Sequence, residues 1–597
     1  MPFILTRTKS IPISYDPLYG IQGIRDQDVI TVGIHNTGST SSACVMRDGK
    51  VEFAAAEERF NRNKHWRYFP QLAMERGLAM LGCSINQVDR VAIAWNPAIN
   101  LAGRFRAGFS EWPAYPGARL YSNASQILTA LHAKPSGGTE QRVELEGGRS
   151  ITFDYVDHHL SHAAFSYLPS PFEEAAILIV DGYGERASTV FGVGRGPTID
   201  ILRRDNFPHS VGSFYSAVTQ HLGFRPDQDE WKVMGAAAYG DPEPYRQAMK
   251  QLISLHDDGH FRLDLNLFDH FDFDSPSLLS VEGKALLGRS RVPEDEMEQR
   301  HFNIAAAAQE RVEEVMFHLL KWLKQRAGLD AICLGGGVVM NSVFNGRTTL
   351  EGPFSRVHIP FAPDDSGNAI GAALVSAQRA AVTGKTLRAP VSPYLGPEYT
   401  DAEIEDLLRR YQIAGEKQKN PAKTGAQLIA SGKTLGWFQG RMEFGQRALG
   451  NRSILADPRD PGMRDKINAS VKYREQFRPF APAVSEHSAH EYFEIPETAG
   501  SPFMERVFKV RTTKQAMIPA VVHADGSGRL QTVNSTMNPL FHALIEAFRA
   551  ETGVPVVLNT SFNTSGEPIV QSPEDALRTF FTSGLNALIL GNYLIEK

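Results

Sequence analysis

The chain has 597 residues, too many for one ordinary core, and its length points to about three or four units of ~150 residues. Its net charge of −5 at pH 7 speaks against a general grip on nucleic acid. Three scattered cysteines, Cys44, Cys83 and Cys333, offer neither a disulfide framework nor a thiolate zinc cluster, and they fit a reducing cytoplasm.

Residues 1–28 are mixed in character, carry Pro2, Pro12 and Pro17, and lack a signal-peptide core, so they read as an extension laid over the surface. No apolar run reaches the ~20 residues needed to span a bilayer. The first ordered element is expected at Val29–Ile34, a short β-branched strand. A small polar loop, His35–Ser42, follows, then a strand at Ala43–Met46. Asp48-Gly49 supplies a tight turn, and Val51–Ala56 returns as a third strand.

His158 and His162 are four residues apart, and on a helix both imidazoles share one face, one turn apart. Two such histidines can begin a metal site but do not close one. Asp181, in Val180-Asp181-Gly182-Tyr183-Gly184-Glu185, and Asp365, in Pro363-Asp364-Asp365-Ser366-Gly367, offer the remaining ligands. Mixed histidine and carboxylate ligands suit a borderline divalent metal such as iron(II) and leave room for a substrate oxygen. The competing reading is two histidines hydrogen-bonded inside a core helix.

The plan of strand, small-residue turn and returning strand recurs at Ala176–Val180, Asp181–Glu185 and Ser188–Val193, which suggests two related halves. A helical run at about 304–326 precedes Ile332-Cys333-Leu334-Gly335-Gly336-Gly337, a glycine turn that lacks the Gly-Lys-Ser/Thr ending of a P-loop. Gly335, Gly336, Gly337 and Asn341 fit a nucleotide cleft between duplicated halves, as in the actin, sugar kinase and Hsp70 class. An alanine-rich helix is expected to end near Thr383, with a proline-rich linker at Gly384–Pro393 and a domain boundary near 390. A helix at about 402–411 opens the next unit, of ~200 residues.

That unit is dense in cations at turns. Arg447 and Arg452 flank glycines in Gly445–Ser453; Lys472, Arg474 and Arg478 precede a proline segment; Arg529 stands in Gly528–Val533. Guanidinium forks bind phosphate or carboxylate bidentately, so convergence of these loops builds an anion pocket. Asn559, Ser561 and Asn563 follow an expected strand at Val554–Leu558.

Several segments in one order resemble the ATP-dependent O-carbamoyltransferases of natural-product biosynthesis, a family with nodulation-factor, tobramycin and cephalosporin carbamoyltransferase-like members. They are Ala56–Phe60 with Lys64-His65, His158–Ala163, Val180–Glu185, Lys232–Gly235, Gly445–Ser453, Phe477–Pro482 and Leu558–Asn563. The resemblance runs from about 29 to 597. It implies an α/β fold: a duplicated, actin-like (ASKHA, Kae1-like) domain over 29–390 and a YrdC-like α/β domain over 391–597. It further implies that carbamoyl phosphate and ATP, with Mg2+, form carbamoyl-adenylate in the C-terminal domain. The N-terminal domain then passes the carbamoyl group to a hydroxyl of a small-molecule acceptor.

On that reading Lys472 and Arg478 are catalytic, and Arg447, Arg452 and Arg529 hold the anions. Asn559, Ser561 and Asn563 hold nucleotide phosphates or the carbamoyl amide, and Lys232 lies near the nucleotide. Members of the family often pair, which leaves a homodimer open; the near-balanced charge argues against a nucleic-acid partner and the lack of a long apolar run against a membrane one, in a cytoplasmic enzyme. Two departures stand out. The family pattern has His-Asp where this chain has Ser39-Thr40, so Ser39 occupies the place of a general base; His35 is the nearest substitute, with a structural role equally open. Trp231 stands where glycine is expected before Lys-Val-Met-Gly. Rival readings are an actin-like scaffold or chaperone, which leaves the C-terminal arginines unused, and threonylcarbamoyl transfer to tRNA, which the charge disfavours. Hydrogenase maturation requires paired zinc clusters that three scattered cysteines cannot make.

Overall fold

The computed structural model describes residues 28–38, 40–99, 139–145, 148–272, 275–380, 388, 390–473, 478, 480–497 and 499–597. Residues 1–27 of the expected extension, Ser39, and half of the expected linker lie outside them. So do Arg474 and Phe477.

β-branched and alanine-rich runs form the first sheet: β1 (Ile30–His35), β2 (Ser42–Arg47), β3 (Lys50–Ala56), β4 (Arg90–Ile93), β5 (Thr139–Glu144) and β6 (Ser150–Tyr155). The spatial order is β3-β2-β1-β4-β6-β5. β1 pairs antiparallel with β2 and parallel with β4, and β4 pairs parallel with β6. The second sheet contains β7 (Glu174–Val180), β8 (Ala187–Arg195) and β9 (Thr198–Asn206). After a hairpin of β10 (Ile253–Leu255) and β11 (Phe261–Leu263), it is completed by β12 (Ala331–Gly335) and β13 (Arg356–His358). Its order, β13-β12-β7-β8-β9, repeats the first: an antiparallel meander on one side of the central strand and two parallel strands on the other.

The helices His158–Tyr167 and Asn368–Arg379 belong to a shared core with both sheets, built from Cys44, Ala163, Ala164, Ile177, Ile179, Ala369, Ala372 and Ala373. Small residues set the spacing. A Cβ at Gly371 would run into the Ser161 carbonyl, and one at Gly33 into the Ala369 carbonyl. The 29-residue helix Gln299–Ala327 covers the outer face of the second sheet.

The C-terminal part is one nine-stranded sheet: β14 (Glu416–Lys417), β15 (Leu435–Phe438), β16 (Arg452–Ala456), β17 (Ala481–Ser485), β18 (Arg506–Lys509), β19 (Ser527–Val533), β20 (Val556–Ser561), β21 (Ala587–Leu590) and β22 (Tyr593–Glu596). Its order is β14-β22-β21-β15-β16-β20-β17-β19-β18, with its own core around Trp437, Phe541, Phe548 and Phe580. The expected helix at 402–411 is present as Asp401–Arg410. Among the described residues no helix is long and apolar enough to cross a membrane.

Candidate active site

The His158–Tyr167 helix is fixed at its start by two carboxylates. Asp157 accepts from the Leu160 N–H at 2.8 Å, and Glu185 Oε1 accepts from the backbone N–H of Asn96 at 2.6 Å and of His158 at 3.1 Å. Anionic groups at a helix N-terminus satisfy its free N–H groups and favour its dipole. One turn apart, His158 and His162 present Nε2 to the same point. Asp181 ends β7; its Oδ1 accepts from the N–H of Gly182 at 2.8 Å and of Gly337 at 3.1 Å, which leaves Oδ2 for the histidines. Oδ2 lies 3.0 Å from His158 Nε2 and 3.2 Å from His162 Nε2. Asp365 Oδ1 lies 3.4 Å from the first nitrogen and 3.2 Å from the second. The four donor atoms fall within 4.8 Å of one another.

Burial alone drives the His158 imidazole down, yet Asp365 and Asp181 beside it hold it well above its ordinary value. His162 is likewise raised against burial by the same two carboxylates. Burial pushes Asp181 up, but the two imidazoles hold it well below the usual carboxylate range. Two carboxylates, Asp181 buried and Asp365 half-buried, are balanced either by two imidazolium ions or by a dication. The amide behind His158 fits the dication. Asn368 Nδ2 is 3.4 Å from His158 Nδ1, while Asn368 Oδ1 is buried without a partner. Turned by 180°, the amide accepts from Nδ1–H, fills that vacancy in its own hydrogen bonding, and frees the Nε2 lone pair for a metal.

One cavity of 1840 Å³ reaches this cluster; His158, Asp181 and Asp365 line it, while His162 sits behind them. Ordinary small-molecule sites occupy roughly 300–1,000 Å³, so this one has room for a nucleotide and a second substrate. Cations also line it. Arg447, Lys472, Arg478 and Arg529 line it together with Ser561 and Asn563. Lys472 Nζ donates to Ser561 O at 2.5 Å, Ser561 Oγ at 3.2 Å, Asn563 O at 3.0 Å and Asn563 Oδ1 at 2.8 Å. Ser561 and Asn563 therefore aim the ammonium rather than stand apart from it. Burial pulls the Arg447 guanidinium down to about 10, with Asp364 opposing. The Arg478 guanidinium carbon lies 3.9 Å from the Trp231 ring centroid. Lys232 also lines the cavity and pairs with Asp229 at 3.1 Å. Gly337 and Asn341 line it too, but the Asn341 amide is committed to Gln309 and to the Phe344 N–H.

Five expectations are corrected. Arg452 is wholly buried and donates to the carbonyls of Gln439, Asn451, Pro397 and Gly440, over the Phe438 ring at 3.7 Å. The cause is strand parity: Ser453 is the residue opposite Ser561, so Arg452 projects to the other face. Asn559 is a strand residue, since β20 runs through Ser561, and its Nδ2 donates to Ala448 O and Gln531 Oε1. Gly335 and Gly336 pack against Ser166 and the Val180 backbone and do not line the cavity. His35 is buried behind Asp365, 3.7 Å from its Oδ2, and Nε2 donates to Thr37 O at 2.7 Å. Burial pushes its imidazole down to about 4, and it does not border the cavity, so it is not placed to take a proton from an acceptor.

Sequence reasoning missed the capping role of Glu185 and the contribution of Asn368. The Asp-Gly-Tyr-Gly-Glu run contained the first without a signal for its partner. A second group, His487, His542 and Glu546, also brings donor atoms within 4.8 Å. There the Arg549 guanidinium already sits 3.0 Å from His487 Nε2, filling the place of a cation.

Residues 31–374 match the carbamoyltransferase N-terminus family and residues 426–597 the carbamoyltransferase C-terminus family. The chain is 38% identical over 561 residues to nodulation protein NolNO of Sinorhizobium fredii, across 93% of this chain and 78% of that one. It is 36% identical over 600 residues to the uncharacterized protein sll1178 of Synechocystis, across 95% and 96%. Among solved structures, full-length HypF in its phosphate- and nucleotide-bound form is similar at 12% identity with a TM-score of 0.30, across 60% of this chain and 56% of that one. With both family halves matched in order over most of its length, the chain belongs to the carbamoyltransferase family.

Proposed function

We propose that this carbamoyltransferase draws its carbamoyl group from carbamoyl phosphate and ATP and delivers it, through carbamoyl-adenylate, to a hydroxyl of a small-molecule acceptor. The observation that carries this is a single cavity lined both by His158, Asp181 and Asp365 of the metal-ligating group and by the cations Arg447, Lys472, Arg478 and Arg529. The repeated strand order over 29–390 supports a duplicated, Kae1-like actin-class domain, and the nine-stranded sheet of 391–597 supports a YrdC-like one.

In the first step water cleaves carbamoyl phosphate to carbamate and inorganic phosphate, and a carbamate oxygen attacks the ATP α-phosphorus and expels pyrophosphate; Lys472, Arg447, Arg478 and Arg529 bind the phosphate oxygens and stabilise the developing charge. Lys472 is held ready by Ser561 and Asn563, so little ordering is needed when the anion arrives. In the second step His158, His162, Asp181 and Asp365 would hold a divalent metal, iron(II) by ligand type, beside the acceptor. When bound, such an ion polarises a carbonyl or phosphoryl oxygen. Gly337, Lys232 and the adjoining wall orient the nucleotide moiety. The three buried free thiols suit a reducing cytoplasm.

Pyrophosphate release from carbamoyl phosphate plus ATP, followed by mass spectrometry of a panel of alcohols, tests the reading. Lys472→Ala is expected to reduce pyrophosphate release by about 10²-fold or more. His158→Ala is expected to spare it and to abolish transfer. Release of ADP instead of pyrophosphate by the wild type overturns the proposal.

A further inference from the structure

We propose that Asp227 is the catalytic base of the transfer step, the carboxylate that takes the proton of the acceptor hydroxyl. This rests on the reading above, in which the acceptor meets the carbamoyl group beside the His158–His162–Asp181–Asp365 cluster.

An alcohol attacks slowly until its proton has somewhere to go. The residues at the family's position do not serve. Ser39 has no basic side chain, and His35 does not border the cavity. The helix Val211–His221 brings a substitute. It starts against the strand end that carries Asp181: Ser210 Oγ donates to Asp181 O at 3.1 Å, and a Cβ at Gly212 would lie 2.7 Å from the Gly182 nitrogen. Ser216 is four residues beyond Gly212, on the same face and about 6 Å along the axis. Its Oγ lies 2.9 Å from Asp227 Oδ1 and 2.8 Å from Glu230 Oε1. Asp227 is held in a left-handed turn, φ 61°, its N–H donated to Glu230 Oε1 at 2.7 Å. One carboxylate oxygen is thereby fixed, and among the described residues nothing engages the other, Oδ2. Asp227, Ser216 and Glu230 line the cavity together with His158, Asp181 and Asp365.

The charges agree with this role. One hydroxyl proton cannot serve two carboxylates, so the Asp227–Glu230 pair holds a further proton. Burial places it on Glu230, whose carboxyl is pushed up to about 7, and leaves Asp227 ionised. Burial also raises Asp227; the Ser216 hydrogen bond opposes, and the charges of Asp181 and Asp365 add to the rise. A raised carboxylate is a stronger base than an exposed one. Burial, then the charges of Asp227, Asp365 and Asp181, push the Tyr183 phenol up to about 12, so all three carboxylates lie around one ring. In the step, the alcohol oxygen bonds to the carbamoyl carbon. The C–O bond to the adenylate phosphate breaks, and its electron pair stays on AMP. The hydroxyl proton goes to Asp227 Oδ2 and from there to solvent.

The test measures carbamoylated alcohol and pyrophosphate in one reaction, with ethanol, 2-chloroethanol and 2,2,2-trifluoroethanol as acceptors in turn. Wild type, Asp227→Asn and Asp227→Ala are compared, each checked by thermal melting. Asp227→Asn keeps the shape of the side chain and its contact with Ser216. It is expected to lower the product formed per pyrophosphate by about 10²-fold with ethanol. With trifluoroethanol, whose more acidic hydroxyl needs less help, the loss is expected to shrink to about tenfold. Asp227→Ala is expected to match Asp227→Asn within about threefold. A ratio in Asp227→Asn within about threefold of wild type, or an equal loss with all three alcohols, overturns the inference and leaves the proposed function standing. Pyrophosphate release by the wild type with transfer to none of the three alcohols overturns it as well. Absence of pyrophosphate release from the wild type overturns both.

Discussion

Glu230 illustrates how one buried side chain ties stability to pH. Its Oε1 accepts from the Ser216 hydroxyl at 2.8 Å and from the Asp227 N–H at 2.7 Å. Burial pushes its carboxyl up from 4.5 to about 7, with Asp227 adding to the rise. Below pH 4.5 the group is protonated in both folded and unfolded chains, and it does not discriminate between them. Between 4.5 and 7 the unfolded chain ionises while the folded chain keeps its proton, so stability falls as pH rises. Above 7 the penalty is complete, at most about 3 kcal/mol. Glu230→Gln carries no proton to lose. Relative to wild type it is expected to gain urea resistance between pH 5 and pH 8, by up to that amount. Equal midpoint differences at the two pH values would rule the account out.

At the scale of elements, the proposed metal-ligand cluster depends on how closely two helices approach. His158 and His162 ride on one, and Asp365 leads into the other, Asn368–Arg379. Gly371 is the contact point, because a Cβ there would run into the Ser161 backbone. Gly371→Ala is expected to part the helices, to cost about 1–3 kcal/mol of stability by overpacking, and to weaken metal retention about 10–100-fold. Metal content after dialysis, read against unchanged pyrophosphate release, checks this. The histidine pair and its aspartates were legible in the sequence because helical period and strand-end position are local properties. Strands β1 to β3 were legible for the same reason, from alternating β-branched runs and an Asp-Gly turn. Arg452 and Arg478 looked alike, both arginines beside glycine or proline. What separates them is the pairing of β16 with β20, which turns Arg452 away from the cavity, and that pairing has no local signature. Asn559 was misread because β20 continues through polar residues that read as a loop. The Trp231–Arg478 stack joins distant segments, so no periodicity announces it.

The whole molecule brings the histidine–aspartate cluster and the C-terminal cations to one cavity by bolting the halves together around it. Arg62, in a left-handed conformation with φ 59°, donates to Ile569 O at 2.7 Å and Pro568 O at 2.8 Å. Arg59 donates to Gly445 O at 3.0 Å. Elsewhere along the contact, Asn345 Nδ2 donates to Glu505 O at 2.8 Å and Arg506 to Val357 O at 2.8 Å. These bolts use charged or amide donors on backbone carbonyls, interactions of about 1.5–3 kcal/mol for the charged ones. They act beside an apolar contact in which Leu395, Phe444 and Met442 join the cores of the N-terminal half, so removing one bolt loosens the joint locally without unfolding either half. In the proposed reaction carbamoyl-adenylate is a reactive anhydride, and its productive use depends on reaching the second site before water does. Arg62→Ala and Asn345→Ala are therefore expected to leave pyrophosphate release within about threefold of wild type. The ratio of pyrophosphate to carbamoylated product should rise by about the 10-fold that 1.4 kcal/mol represents. Measuring both products in one reaction gives that ratio directly. A ratio unchanged in both variants would mean that the intermediate crosses without help from the joint, and that these contacts serve stability alone.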